Sequence, residues 1–179
     1  YLNKNEKKMK DIDYGLNITT VGGKGQFSYK KSFDQNHFIN RNIEETFKEL
    51  NLKYKSFPFD IHGSDERQYS TQGFSINVAT IAKDKYYEYK EYHTSLDNLK
   101  FVNGLQIFKS LNVYVNLIHK LESRKVFQSK IRFGEPMLSK YNLYPKIGGA
   151  LNVNNKNFDN EISYILWILF LSDGKILSK

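Results

Sequence analysis

Apolar positions at residues 39, 43, 47 and 50 (Ile39, Ile43, Phe47, Leu50) recur at helical spacing behind Asn36, a plausible cap, and predict an amphipathic helix. A longer run of the same period, Phe101, Leu105, Phe108, Leu111, Val115, Ile118 and Leu121, predicts a helix from Phe101 to about Glu122. Elsewhere the period falls to two. Leu16, Ile18 and Thr20 alternate with polar residues and lead into Val21, a short strand ending at Gly22-Gly23-Lys24-Gly25. Phe27, Tyr29 and Phe33 suggest a second extended piece, and Leu52 to Phe59 a third, closed by Pro58. Ile76, Val78, Thr80 and Ile81 form a β-rich run expected to be a buried strand. Strand, loop, strand, loop, helix is an α/β order. The Lys/Asn-rich opening, Tyr1 to Asp11, is expected to fray or lie on the surface.

Beyond Arg124 the texture changes. Val126 to Pro136 reads as extended, Leu143-Tyr144-Pro145 through Gly148-Gly149 as irregular, and Asn152 to Asn157 as a polar linker. Ile162 to Leu171 is an almost wholly apolar helix stopping at Asp173-Gly174. It is too short for a bilayer, which takes about 20 apolar residues, so no membrane partner is expected. The expected division is 12–124 for the α/β body, 125–157 for an appended extended segment and linker, and 158–179 for a terminal helix.

Composition narrows the chemistry. With 40% hydrophobic and 15% aromatic residues, the 179-residue chain can bury an aromatic-rich core. It has no Cys, which excludes disulfides, thiolate metal sites and Cys nucleophiles. Any metal site must use His and carboxylates. The formal charge of +8 favours polyanions at long range, but the lysines are scattered as on a solvated surface. The chain opens on Tyr1 rather than Met and is expected to be part of a longer, cytoplasmic product.

Two polar stations carry the candidate chemistry: Gly63-Ser64-Asp65-Glu66-Arg67-Gln68-Tyr69 and Glu91-Tyr92-His93-Thr94-Ser95-Leu96-Asp97. A carboxylate after a tight Gly-Ser turn and an imidazole followed by its own acid are residue types that a hydrolytic zinc centre uses. Both stations follow expected strands, where α/β sheets gather ligands. His93 is read either as a metal donor or as an exposed imidazole, and Asp97 either as the acceptor that orients its ring or as an acid at the start of the long helix. Asp65 is either a pocket carboxylate or a cap paired with Arg67. His37 and His119 are expected to be solvated, and His62 adjoins the first station. The glycine cluster at Gly22 to Gly25 lacks phosphate-loop spacing, and Ser64 lacks the elbow of a Ser-His-Asp hydrolase.

At these stations the chain resembles the zinc aminopeptidases, a family that includes the glutaminyl cyclases, and within it the bacterial aminopeptidase-like proteins associated with polysaccharide biosynthesis. The blocks from Gly63 and Glu91, Gly73, the strand from Ile76, and weaker Glu135-Pro136, Leu143-Tyr144-Pro145 and Ser172-Asp173-Gly174 elements carry the likeness. The resemblance implies the C-terminal part of a three-layer, phosphorylase/hydrolase-like sheet with flanking helices, a short β-rich appendage and a terminal helix that could open a winged-helix-like tail. It also implies zinc-activated water attacking a peptide-like amide. His93 would be a metal ligand and Asp65 the catalytic-pocket aspartate, with Tyr92, Glu66, Arg67 and Asp97 lining or supporting the pocket. The family's remaining ligands and its general-base Glu precede the stretch present here, and its strand-end Asp falls near Thr19 or Thr20, so a single zinc and dependence on a missing N-terminal portion are implied. The competing expectation is a noncatalytic basic module for nucleic acid or acidic glycan.

Overall fold

The computed structural model describes residues 1–131, 133–143 and 156–177. The chain divides into two compact units, Tyr1–Glu122 and Ser123–Lys179.

The first unit is a mixed four-stranded sheet with flanking helices. In chain order it holds α1 (Glu6–Lys10), β1 (Tyr14–Ile18), β2 (Phe27–Lys30), α2 (Phe38–Glu49), β3 (Tyr54–Phe57), α3 (Glu66–Tyr69), β4 (Asn77–Lys83) and α4 (Gly104–Glu122). The strands lie in the order β1-β4-β2-β3. β1 runs parallel to β4 and β2 parallel to β3, but β2 runs antiparallel to β4. The carboxyl ends of β3 and β4 therefore lie at opposite rims, so the two stations leave from opposite ends rather than from the shared rim expected of a parallel sheet.

Alternation along the strands gives the sheet two unlike faces. Phe27 and Tyr29 of β2 and Ala79 and Ile81 of β4 join Ile39, Ile43 and Phe47 of α2 and Val113, Tyr114 and Leu117 of α4 in one buried cluster. Each fully buried aliphatic or aromatic side chain there stabilises by about 1.5–3 kcal/mol. Phe47 stacks on Tyr54 at 4.6 Å between ring centroids, and the Tyr114 hydroxyl donates to the Ile81 carbonyl at 2.7 Å. The cap of α2 is His37, not Asn36: its Nδ1 accepts from the Ile39 N–H at 3.4 Å. The opposite face is polar at Ser28, Lys30 and Thr80, and it holds the site. A small second cluster of Met9, Ile76 and Val78 covers one end of it, so the opening segment lies on the surface, the second of the two expectations, in helical turns anchored by a buried Met9.

The long helix begins at Gly104, three residues later than its apolar pattern suggests. Its buried face is Ser110, Val113, Tyr114, Leu117 and Leu121. Phe108, Leu111, Val115 and Ile118, which set the period in the sequence, are exposed. The helix thus has two apolar flanks, of which the sheet takes one.

Among the described residues of the expected extended stretch, Val126–Gln128 (β5) is strand, and a helical turn follows at Leu138–Tyr141. The apolar helix runs over Lys156–Leu171 (α5) and stops just ahead of Asp173-Gly174, as its pattern suggests, and Asp173–Leu177 (β6) pairs antiparallel with β5. Tyr144-Pro145, Gly148-Gly149 and the start of the expected linker lie outside the described residues. Among the described residues no helix is long and apolar enough to cross a membrane.

Candidate functional site

The centre of the polar face is a buried ion pair. Lys30, the last residue of β2, is 4% exposed, and Glu66, the first residue of α3, is fully buried. Lys30 Nζ lies 3.0 Å from Glu66 Oε1 and 3.1 Å from Asp60 Oδ1, and it also donates to the Asp60 carbonyl at 2.8 Å and to the His62 carbonyl. The other Glu66 oxygen accepts from Asn17 Nδ2 at 3.1 Å, which ties α3 to β1. A charged pair this deep persists only if further hydrogen bonds satisfy it, and here Lys30 Nζ and both Glu66 oxygens have partners. Burial works against the Lys30 ammonium, yet its bonds to Glu66 and Asp60 hold its pKa above the ordinary lysine value. Burial likewise works against the Glu66 carboxylate, and Lys30 with nearby N–H donors outweighs it and lowers the pKa. Both stay charged through the neutral range. They cannot serve as a proton shuttle there, and their role is to hold backbone.

The backbone held is the first station. The Ser64 N–H donates to Glu66 Oε1 at 3.3 Å, and Gly63 sits at φ 147° with Glu66 and the Tyr86 hydroxyl packed where a Cβ would be. Only glycine fits that approach. Asp65, one residue before α3, is exposed and makes no side-chain cap bond. Arg67 is also exposed and reaches back to the Ile61 carbonyl at 3.2 Å rather than to Asp65.

The second station is brought to the first by a fold-back. After β4 the chain reverses through Asp84 (φ 63°) and Tyr87 (φ 67°), left-handed conformations that cost non-glycine residues about 1 kcal/mol or more each. Asp84 is held in this turn by the glycine cluster: a Cβ on Gly25 would lie 1.6 Å from its carboxylate. Burial pushes the Asp84 carboxyl pKa up despite a bond from the Gly25 N–H. The returning segment crosses the polar face, where Lys85 Nζ sits 4.4 Å from the Phe57 ring centroid and the Tyr86 hydroxyl reaches 3.5 Å from Glu66 Oε1. A hollow of about 120 Å³ remains beside it, lined by Ser28, Lys55, Phe57, Asp84, Glu88 and Tyr89 among others.

From Tyr86 an aromatic chain continues to the imidazole. Tyr92 packs against Tyr86 at 6.4 Å and Tyr87 at 4.9 Å, and the His93 ring stacks on Tyr92 at 4.0 Å and 14°. His93 is exposed with φ 56°, as a side chain presented outward by its neighbour would be. Asp97 is exposed seven residues ahead of α4, and no hydrogen bond joins it to His93 among the described residues. Of the sequence-derived site residues, Glu66, Tyr92 and His93 are joined through Tyr86, whereas Asp65, Arg67 and Asp97 stand outside that chain of contacts. Lys30, Asp60, Asn17 and Tyr86 were not anticipated. A lysine in an alternating strand reads as a surface residue, and only the acid-rich turn it faces could have hinted otherwise.

Among the described residues no three His, Asp or Glu side chains are grouped to hold a metal ion. A zinc site needs three or four such donors, so these residues alone do not fit one.

The geometry is that of a rigid turn and an aromatic shelf presented on one side of a mixed sheet, and comparison with known proteins gives its class. Residues 1–124 match the family described as "Domain of unknown function (DUF4910)", and the chain belongs to that family. It is 32% identical over 175 residues to a Clostridium acetobutylicum protein provisionally named for polysaccharide biosynthesis with an aminopeptidase-like domain, covering 98% of this chain and 39% of that protein. A crystal structure from the same organism, provisionally named a peptidase, superposes with TM-score 0.68 at 30% identity, covering 98% of this chain and 37% of that one. A zinc aminopeptidase of Bacillus subtilis shares the fold at TM-score 0.51 and 11% identity over 65% of this chain and 30% of that one. The chain therefore spans about two fifths of the length of the Clostridium relatives, and the resemblance to the aminopeptidase-like proteins holds.

Proposed function

We propose that these residues form the C-terminal half, 12–124, of an aminopeptidase-like α/β hydrolase domain, followed by an appended segment (125–157) and a terminal element (158–179). In this reading the complete protein is a cytoplasmic zinc-dependent hydrolase of a peptide-like amide. This portion is inactive alone. His93 is its one metal donor, and Asp65 is the carboxylate it lends to the pocket. The remaining donors come from the part of the protein that the Clostridium relatives have and this chain does not cover. Zinc, when bound, would supply Lewis-acid activation of water. The work of this chain is to hold the His93 and Asp65 loops at a fixed separation.

The observation that carries the reading is the continuous path Lys30–Glu66–Tyr86–Tyr92–His93, which mechanically joins the two loops where the family likeness is strongest. Such support is what a precisely spaced site needs. The test is metal content of the intact gene product. His93→Ala should remove close to one zinc per molecule and hydrolysis of aminoacyl anilides, with little dependence on ionic strength. Unchanged zinc in that variant, or polyanion binding that weakens steeply with salt and no zinc at all, would replace this reading with the basic-module alternative.

A further inference from the structure

The hollow beside the turned-back segment has no part in the proposed hydrolysis, yet its lining is built to receive something. Its most buried wall is Ser28, 5% exposed, which alternation along β2 places on the polar face with Lys30. Among the described residues the Ser28 hydroxyl has no hydrogen-bond partner. Buried hydroxyls are normally bonded, so one that lines a cavity without a partner points to a ligand there. Phe57, Asp84 and Tyr89 are half-buried walls, and Lys55 and Glu88 are exposed lining residues.

The charges of this lining are unequally matched. Lys85 is paired with Glu88 at 3.0 Å and lies over the Phe57 ring, so these two side chains satisfy each other. Asp84 has no such partner. Lys83 and Lys55 act on its carboxylate only at longer range, and no lysine or arginine pairs with it among the described residues. Burial accordingly raises the Asp84 pKa, a shift that a cation beside it would oppose. The Tyr89 ring is fixed by stacking on Phe101 at 5.7 Å and 19°, and its hydroxyl also has no partner among the described residues. A carboxylate without a counter-ion, a free hydroxyl and aromatic walls together suit a small cation that carries N–H donors.

We infer that this hollow is a binding site for a primary alkylammonium group, which donates to the Asp84 carboxylate and Ser28 Oγ and lays its methylenes along Tyr89 and Phe57. Size decides the class. The hollow of about 120 Å³ is the space of about four waters, which admits a chain of about five heavy atoms but not a sugar ring of about twelve. Such a group is the end of a lysine side chain or a free short amine. An anion would meet Asp84 at once, and the Lys85 ammonium that could have drawn it is already taken by Glu88.

The experiment titrates n-butylammonium, butyrate and 1-butanol into the intact gene product and reads binding by saturation-transfer NMR. The ammonium should bind with a Kd on the order of 1 mM, and the acid and the alcohol at least about tenfold more weakly. Asp84→Asn keeps the shape and suits the left-handed backbone at φ 63°, so it should weaken ammonium binding about tenfold or more without unfolding the protein. Ser28→Val fills the hollow and should abolish binding. Lys55→Met, at an exposed position, removes a like charge and should tighten binding about twofold to fivefold, a readout that survives if either other variant fails to fold. Nα-acetyl-lysine amide binding as well as n-butylammonium assigns the site to a side chain, and n-butylammonium alone assigns it to a free amine; either supports the pocket. Butyrate or butanol binding as tightly as the ammonium, unchanged affinity in folded Asp84→Asn, weaker binding in Lys55→Met, or no binding of either amine at about 50 mM would overturn it. No arm involves zinc or hydrolysis, so a failed His93→Ala test and a failure here are separate results.

Discussion

Replacing Glu66 with Gln tests whether the buried pair is the structural hub of the polar face. The substitution keeps volume and one acceptor oxygen but removes the charge opposite Lys30, which is 4% exposed and cannot reach water without moving β2. Removing one partner of a buried pair costs about 3–5 kcal/mol when the other is left wholly unpaired. Lys30 keeps Asp60 Oδ1 at 3.1 Å and two carbonyls, so the lower figure of about 2–3 kcal/mol applies. For a chain of this size that is a fall of roughly 5–10 °C in midpoint, read by circular dichroism at pH 7. The pH dependence supplies a second check. Glu66 has a folded pKa below its unfolded value, so its contribution is present above about pH 4.3 and is lost as pH falls through the lowered folded value. Lys30 has a raised folded pKa, so its contribution is present below about pH 10.4 and is lost as pH rises through the folded value. The difference between wild type and Glu66→Gln should therefore be flat across neutral pH and shrink at the acid end. A loss below about 0.5 kcal/mol, or a difference that titrates near neutrality, refutes the hub. The Lys30→Met/Glu66→Leu pair should recover only part of the loss, since it removes both charges of the pair but leaves the Asp60 carboxylate, the Asp60 and His62 carbonyls and Asn17 Nδ2 without these partners.

Other substitutions probe separate features. Gly25→Ala should destabilise by about 2–3 kcal/mol in urea unfolding, and Asp84→Gly should rescue it by removing both the clashing carboxylate and a left-handed non-glycine residue. Tyr114→Phe should cost about 1 kcal/mol by orphaning the Ile81 carbonyl, with no change in the polar face as reported by amide shifts of Ser64 and Glu66. Tyr92→Ala should leave stability within about 1 kcal/mol but broaden the His93 imidazole resonances, because the ring loses the surface it stacks on. Unchanged His93 resonances in that variant would mean that the aromatic path does not position the imidazole.

Much of the fold was legible where period and burial agree. Ile39, Ile43 and Phe47 pointed to α2 because one face of it is wholly apolar, and Val78 to Ile81 pointed to β4 because it is covered on both sides. The pattern misled in α4, where Leu111 and Ile118 advertise a buried face that this chain leaves bare while Ser110 and Tyr114 do the packing. Strand direction was invisible, since nothing in Phe27 to Lys30 distinguishes a strand running with β4 from one running against it. Lys30 could not be singled out because its partner is thirty-six residues away and becomes a partner only when β2 and α3 meet. The glycine cluster at Gly22 to Gly25 reads from the sequence only as the end of a strand. Its task is to admit the Asp84 carboxylate.

The reversal at Asp84 makes segment length a determinant of site geometry. Only one residue, Lys85, separates it from Tyr86, so the loop bearing His93 is measured off against Glu66 like a mark on a ruler. Inserting a single residue between Asp84 and Tyr86 would leave sheet and helices intact yet slide every later aromatic contact out of step. Homologous proteins should consequently tolerate length variation after Leu96, in the exposed run before α4, far more readily than between those two positions.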